Sequence, residues 1–142
     1  MRFLLILLLA LSSLNAASIG WQRNYESALA KATSEEKPLM VYLYLPHCAT
    51  CNYMNKNVFS DKKVIDYINK SYIAVKLYPN DKSLPEKLQS EMSPVFYLIN
   101  PQNSDMIDSV MGGKNAEKFL ELLEESFDTY KNGDQTAIEP VG

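Results

Sequence analysis

A chain of 142 residues suits one domain around one core and is too short for two. Hydrophobic residues make up 46% of it, and no Gly/Ser-rich or Pro-rich stretch interrupts residues 21–130, which excludes a disordered chain. Of 14 basic residues only Arg2 lies in the N-terminal leader, and the remaining 13 against 17 acidic ones exclude a basic surface for nucleic acid.

The chain opens with Met1 and Arg2, an unbroken apolar run from Phe3 to Leu11, and small and polar residues through Ala17. That pattern predicts a secretory signal peptide over 1–16 and export, to the periplasm or an equivalent compartment. Even extended to Leu14, the run spans roughly 18 Å as a helix, short of the ~30 Å hydrocarbon core, so no membrane span is expected after cleavage. A folded domain over 17–130 and a flexible tail over 131–142 complete the expected organisation.

Trp21, Tyr25, Ala28, Leu29 and Ala32 recur at helical spacing and predict an amphipathic helix from about Asn24, closed by Glu35–Pro38. Leu39–Leu45 is a continuous apolar and aromatic run, as in a central strand buried on both faces. After Pro46 come His47, Cys48, Ala49, Thr50 and Cys51, then Asn52–Val58, which lacks Gly and Pro and can continue as a helix. Ser60 and Asp61 give an N-cap signal for a short helix carrying Val64, Ile65 and Ile68. Tyr72–Tyr78 reads as a second strand. Ser83 and Glu86 form a capping box for a helix reaching about Glu91. Val95–Ile99 and Met106–Val110 suit a hairpin around Pro101–Ser104, and Gly112 and Gly113 end it. Phe119, Leu122, Leu123, Phe127 and Tyr130 mark a last helix, with Glu121, Glu124, Glu125 and Asp128 as its solvated face. A right-handed crossover makes the first two strands parallel, so the expected class is α/β with a mixed four-stranded sheet flanked by helices.

The chemistry lies in Cys48 and Cys51. As a structural staple the pair would close so small a loop that the chain-entropy model values it at only roughly 2 kcal/mol. Haem attachment needs a histidine where Asn52 stands, and structural zinc needs four ligands where this chain adds only His47. Redox work remains. A helix N-terminus favours a thiolate by ~0.3–2 kcal/mol, enough to bring the Cys48 pKa from ~8.5 toward ~7. The gain in attack rate is only about threefold, because a less basic thiolate is a weaker nucleophile. The larger effect is on leaving: a mixed disulfide at Cys48 is readily released by Cys51. Cys48 is therefore read as nucleophile and Cys51 as resolving thiol.

The strand Val41–Leu45, the motif Cys48-Ala49-Thr50-Cys51 and the pair Ser93-Pro94 resemble the thioredoxin superfamily over residues 21 to about 130. Lys37-Pro38 and Val58-Phe59-Ser60-Asp61 with Val64 are similar to the C-terminal periplasmic domain of the Dsb transmembrane reductase and related small exported proteins. The resemblance implies a thioredoxin-like fold with an extra N-terminal helix and a thiol:disulfide oxidoreductase needing no cofactor. It also implies a cis Ser93-Pro94 bond opposite the cysteines, with Ser93 offering backbone hydrogen bonds to a substrate chain. Partners would be protein thiols and disulfides and a membrane thiol reductase, the protein itself being a monomer.

Three positions modulate that expectation. The buried acid of the family is Tyr42 here, the tryptophan before the first cysteine is His47, and the second-strand lysine is kept as Lys76. A phenol of pKa ~10 is a poor base at neutral pH, so slow resolution of mixed disulfides is expected. His47 either tunes the Cys48 thiolate or is an exposed loop residue. Ala49-Thr50 holds neither histidine nor proline, which favours the reducing direction. Two other readings stand beside this one. Cys48 and Cys51, with His47 or with Met54, Met92, Met106 and Met111, would suit a copper(I) or soft-metal chaperone, although those methionines also suit a core or a substrate groove. The third reading is a non-catalytic binding module on the same fold.

Overall fold

The computed structural model describes residues 17–133; the expected signal peptide over 1–16 and residues 134–142 of the expected tail lie outside the described residues. Helix α1 (Tyr25–Glu35) begins where Asn24 turns its side chain onto the amide of Ser27, and ends at Glu36 in a left-handed conformation. Strand β1 (Leu39–Leu43) follows, buried at every position. Helix α2 (Ala49–Tyr53) continues as one wider, π-type turn over Met54–Val58. Then come α3 (Lys62–Ser71), β2 (Ile73–Leu77), the antiparallel hairpin β3 (Val95–Ile99) and β4 (Met106–Met111), and α4 (Ala116–Asn132). The order across the sheet is β2-β1-β3-β4, with β1 parallel to β2 and antiparallel to β3. This is the mixed four-stranded sheet flanked by helices that the element order implied.

Two central strands with both faces covered explain the uninterrupted apolar runs. Leu39, Val41 and Leu43 of β1 pack with Tyr25, Ala28 and Ala32 of α1, while Met40 and Tyr42 pack with Met54, Val58, Phe119 and Leu123. The Tyr72 hydroxyl donates to the Leu123 carbonyl at 2.7 Å and fastens α4 to the sheet.

Two expectations are corrected. The capping box at Ser83 does not start a helix: only a single 3-10 turn forms, Glu86–Leu88. Pro85 disfavours helical backbone at Leu84, and Ser83 is engaged elsewhere, donating to Asp81 at 2.7 Å and accepting the Tyr25 amide of α1 at 3.2 Å. At α3 the expected cap forms at Asp61, which receives the amides of Lys63 and Val64, while Ser60 donates back to the Lys56 carbonyl. Helix α4 runs through Asn132, past the expected domain end at residue 130. Among the described residues no helix is long and apolar enough to cross a membrane.

Candidate active site

The active turn is built by the end of β1. The chain leaves the sheet at Leu43, passes Leu45 and Pro46, and re-enters regular structure at Cys48, whose amide donates to the Leu45 carbonyl at 3.3 Å. Cys48 is the N-cap of α2: its backbone is extended and its Sγ accepts the Cys51 amide at 3.1 Å. The Cys48 thiol in turn reaches the Ser93 carbonyl at 3.7 Å. Ser93-Pro94 is a cis peptide bond, and the Pro94 carbonyl is taken up by the Gly112 amide at 2.9 Å. Sequence-distant elements thus converge on one sulfur.

The two free thiols differ in access: Cys48 is half-buried, whereas Cys51 is fully enclosed at 0% exposure. Their acidities diverge. Desolvation pushes the Cys48 thiol up, but hydrogen bonds from the Cys51 side chain and amide, with help from Ser93 and the Thr50 amide, more than reverse it and leave its pKa below the ordinary value. Desolvation raises Cys51, and its hydrogen bond to Cys48 raises it further. Alkylation of Cys48 by iodoacetamide is therefore expected to follow a midpoint below the ~8.5 of free cysteine and to fade as pH falls through that lowered pKa. A midpoint at or above the free-cysteine value would remove the electrostatic basis of the site.

Beneath Cys51 lies a polar group enclosed by aromatic rings. Tyr42 is 0% exposed, and its hydroxyl is 3.4 Å from both the Cys51 carbonyl and Asn55 Oδ1. Burial, then the Cys51 charge, holds its pKa far above the ordinary phenol range, so it cannot serve as a base. Lys76 Nζ donates to Asn55 Oδ1 at 3.3 Å and lies 4.3 Å over the Tyr44 ring. Its pKa is lowered by desolvation and pulled back up by Cys51. His47, Ala49 and Thr50 are exposed, and among the described residues His47 makes no hydrogen bond to either thiol.

Sequence reasoning missed two contributors. Asn55, one helical turn after Cys51, looked like any polar residue of a helix; only its i+4 spacing from the buried cysteine pointed to it. Gly113 was read only as a strand breaker. A Cβ at this position would lie 2.7 Å from Thr50 Cγ2, so the glycine lets the chain after β4 close over α2, where the Lys114 amide donates to the buried Met54 Sδ at 3.5 Å. Gly113→Ala is expected to force Thr50 off its rotamer, lowering stability by about 1 kcal/mol in thermal melts. An unchanged melting temperature would mean that Thr50 yields freely.

With this geometry in view, a family model described as thioredoxin-like matches residues 20–101. The chain belongs to the thioredoxin-like family. No curated protein matches the sequence. Among solved structures, a thioredoxin from Thermus thermophilus superposes with a TM-score of 0.71 at 22% identity, covering 83% of this chain and 94% of that one. The DsbD C-terminal domain of Neisseria meningitidis in its oxidised form gives 0.59 at 18% identity over 71% and 91% of the two chains. The reduced periplasmic thioredoxin SoxS of Paracoccus pantotrophus gives 0.52 at 16% over 65% and 97%. At these identities the likeness concerns the thioredoxin-like fold alone. Among the described residues no group of three or more His, Cys, Asp or Glu side chains could hold a metal ion.

Proposed function

We propose that the protein is an exported thiol:disulfide oxidoreductase that works on protein substrates or a redox partner, in the reducing direction. One observation carries this reading: an accessible sulfur, Cys48, is stabilised as thiolate at the start of a helix, with a second, enclosed thiol three residues away. The Cys48 thiolate attacks a substrate disulfide; that S–S bond breaks, a mixed disulfide forms, and one substrate thiolate leaves. Cys51 then gives up its proton and attacks Cys48 Sγ. The second substrate sulfur leaves, Cys48 and Cys51 are joined, and two electrons have passed to the substrate. A membrane thiol reductase would restore the dithiol.

The cis Ser93-Pro94 segment beside Cys48 supports a role in aligning a substrate chain through its backbone. Leu45, Tyr53, Met92 and Met111 are exposed apolar side chains on the loops and element ends around the turn, a surface suited to unfolded polypeptide. His47, Ala49 and Thr50 would meet that chain directly. The leader over 1–16 and the resemblance to exported relatives support export.

The test is reduction of insulin disulfides together with the potential of the Cys48–Cys51 couple, set by equilibration with glutathione buffers. The expected value lies below about −150 mV, nearer thioredoxin at about −270 mV than strong oxidants at about −120 mV. A value near the latter reverses the direction, and no exchange at all overturns the enzyme reading.

A further inference from the structure

The resolving thiol poses a problem that its surroundings answer. Cys51 is fully buried and must lose a proton to attack Cys48. Among the described residues no carboxylate is among the groups acting on Cys51 or Lys76. The titratable groups facing this pocket are Cys48 from the active turn, Tyr42 from β1, Tyr44 just beyond β1 and Lys76 from β2, while β3 contributes the Phe96 ring stacked on Tyr42. Tyr42 donates and cannot accept a proton. Lys76 alone can carry a positive charge there.

What fixes that charge is Asn55. An ammonium only donates, so the side-chain atom facing Lys76 must be the amide oxygen, and that same Oδ1 lies 3.4 Å from the Tyr42 hydroxyl. Asn55 lies one turn beyond Cys51 on the same face of the helix, and the Tyr42 hydroxyl touches both residues. The rings of Tyr44 and Tyr42, 4.3 and 5.6 Å from Nζ, complete a seat that favours the cation.

Building on the oxidoreductase reading, we infer that Asn55 is a positioning residue that holds the Lys76 ammonium under Cys51, where it favours the Cys51 thiolate during release of the mixed disulfide. The step balances without a further reagent. Cys51 loses its proton, its sulfur bonds to Cys48 Sγ, the bond from Cys48 to the substrate breaks, and the departing substrate thiolate takes up the proton. Lys76 keeps its own protons throughout.

The experiment is a single-turnover reaction of the reduced protein with 5,5′-dithiobis(2-nitrobenzoate). The first thionitrobenzoate released reports attack by Cys48, and the second reports resolution by Cys51. Across a pH series, Asn55→Ala and Lys76→Met are expected to raise the midpoint of the second phase by about one pH unit, a slowing of about tenfold at neutral pH, with the first phase unchanged. Because Asn55 acts through the lysine, the double variant is expected to be no slower than Lys76→Met alone. An unmoved second-phase midpoint in both single variants overturns the inference, as does a double variant whose two effects multiply. Loss of both phases in the wild-type protein overturns the oxidoreductase reading itself, and the inference with it.

Discussion

Cys51→Ser, expressed in the native compartment, accumulates mixed disulfides on Cys48, and Cys48→Ser accumulates none. The asymmetry follows from access: substrate sulfur reaches the half-buried Cys48, whereas Cys51 is closed off at 0% exposure. Removing the inner thiol leaves the first step intact and deletes the second, so captured partners persist long enough for identification by mass spectrometry. Turnover in a reduction assay is expected to vanish in both variants, and only trapping separates them. Partners held equally well by Cys48→Ser would show that the inner sulfur also meets substrate, and the assignment of roles would fail.

The largest stability effect is expected at Tyr42. Its ring stacks on Phe96 at 4.8 Å and nearly parallel, and lies within 6 Å of the rings of Trp21, Tyr44 and Phe59. Tyr42→Ala empties the middle of this group and is expected to cost about 3–5 kcal/mol, the range for truncating a buried aromatic residue. Tyr42→Phe keeps the stack and gives up only two long hydrogen bonds, a loss of about 1 kcal/mol. Urea denaturation of the two variants separates packing from polarity. Equal losses would mean that the hydroxyl, and not the ring, holds the site together.

These expectations rest on features with different visibility in the amino-acid sequence. β1 and β3 were legible because burial on both faces leaves an unbroken apolar run, and α1 because its apolar residues recur at helical spacing. The cysteine turn and the cis bond at Pro94 were legible through motif and resemblance together. The short segment after Ser83 was misread because capping chemistry is local, whereas its serine serves the start of α1 from 58 residues away. The wide turn over Met54–Val58 left no mark, since nothing in its composition distinguishes it from α-helix. Asn55 was invisible for a related reason: its role depends on which way a helix face points, and that is settled by packing against β1 and β2.

The opposed acidities of the two thiols also set how the couple responds to its surroundings. Between the lowered pKa of Cys48 and the raised pKa of Cys51, the reduced protein carries one thiolate and one thiol. Reduction of the disulfide then takes up a single proton for two electrons, so the midpoint potential drifts by ~30 mV per pH unit, half the slope of a couple that binds two. A substrate couple that binds two protons moves twice as far, so the driving force for reducing it grows by ~30 mV with each unit of acidification.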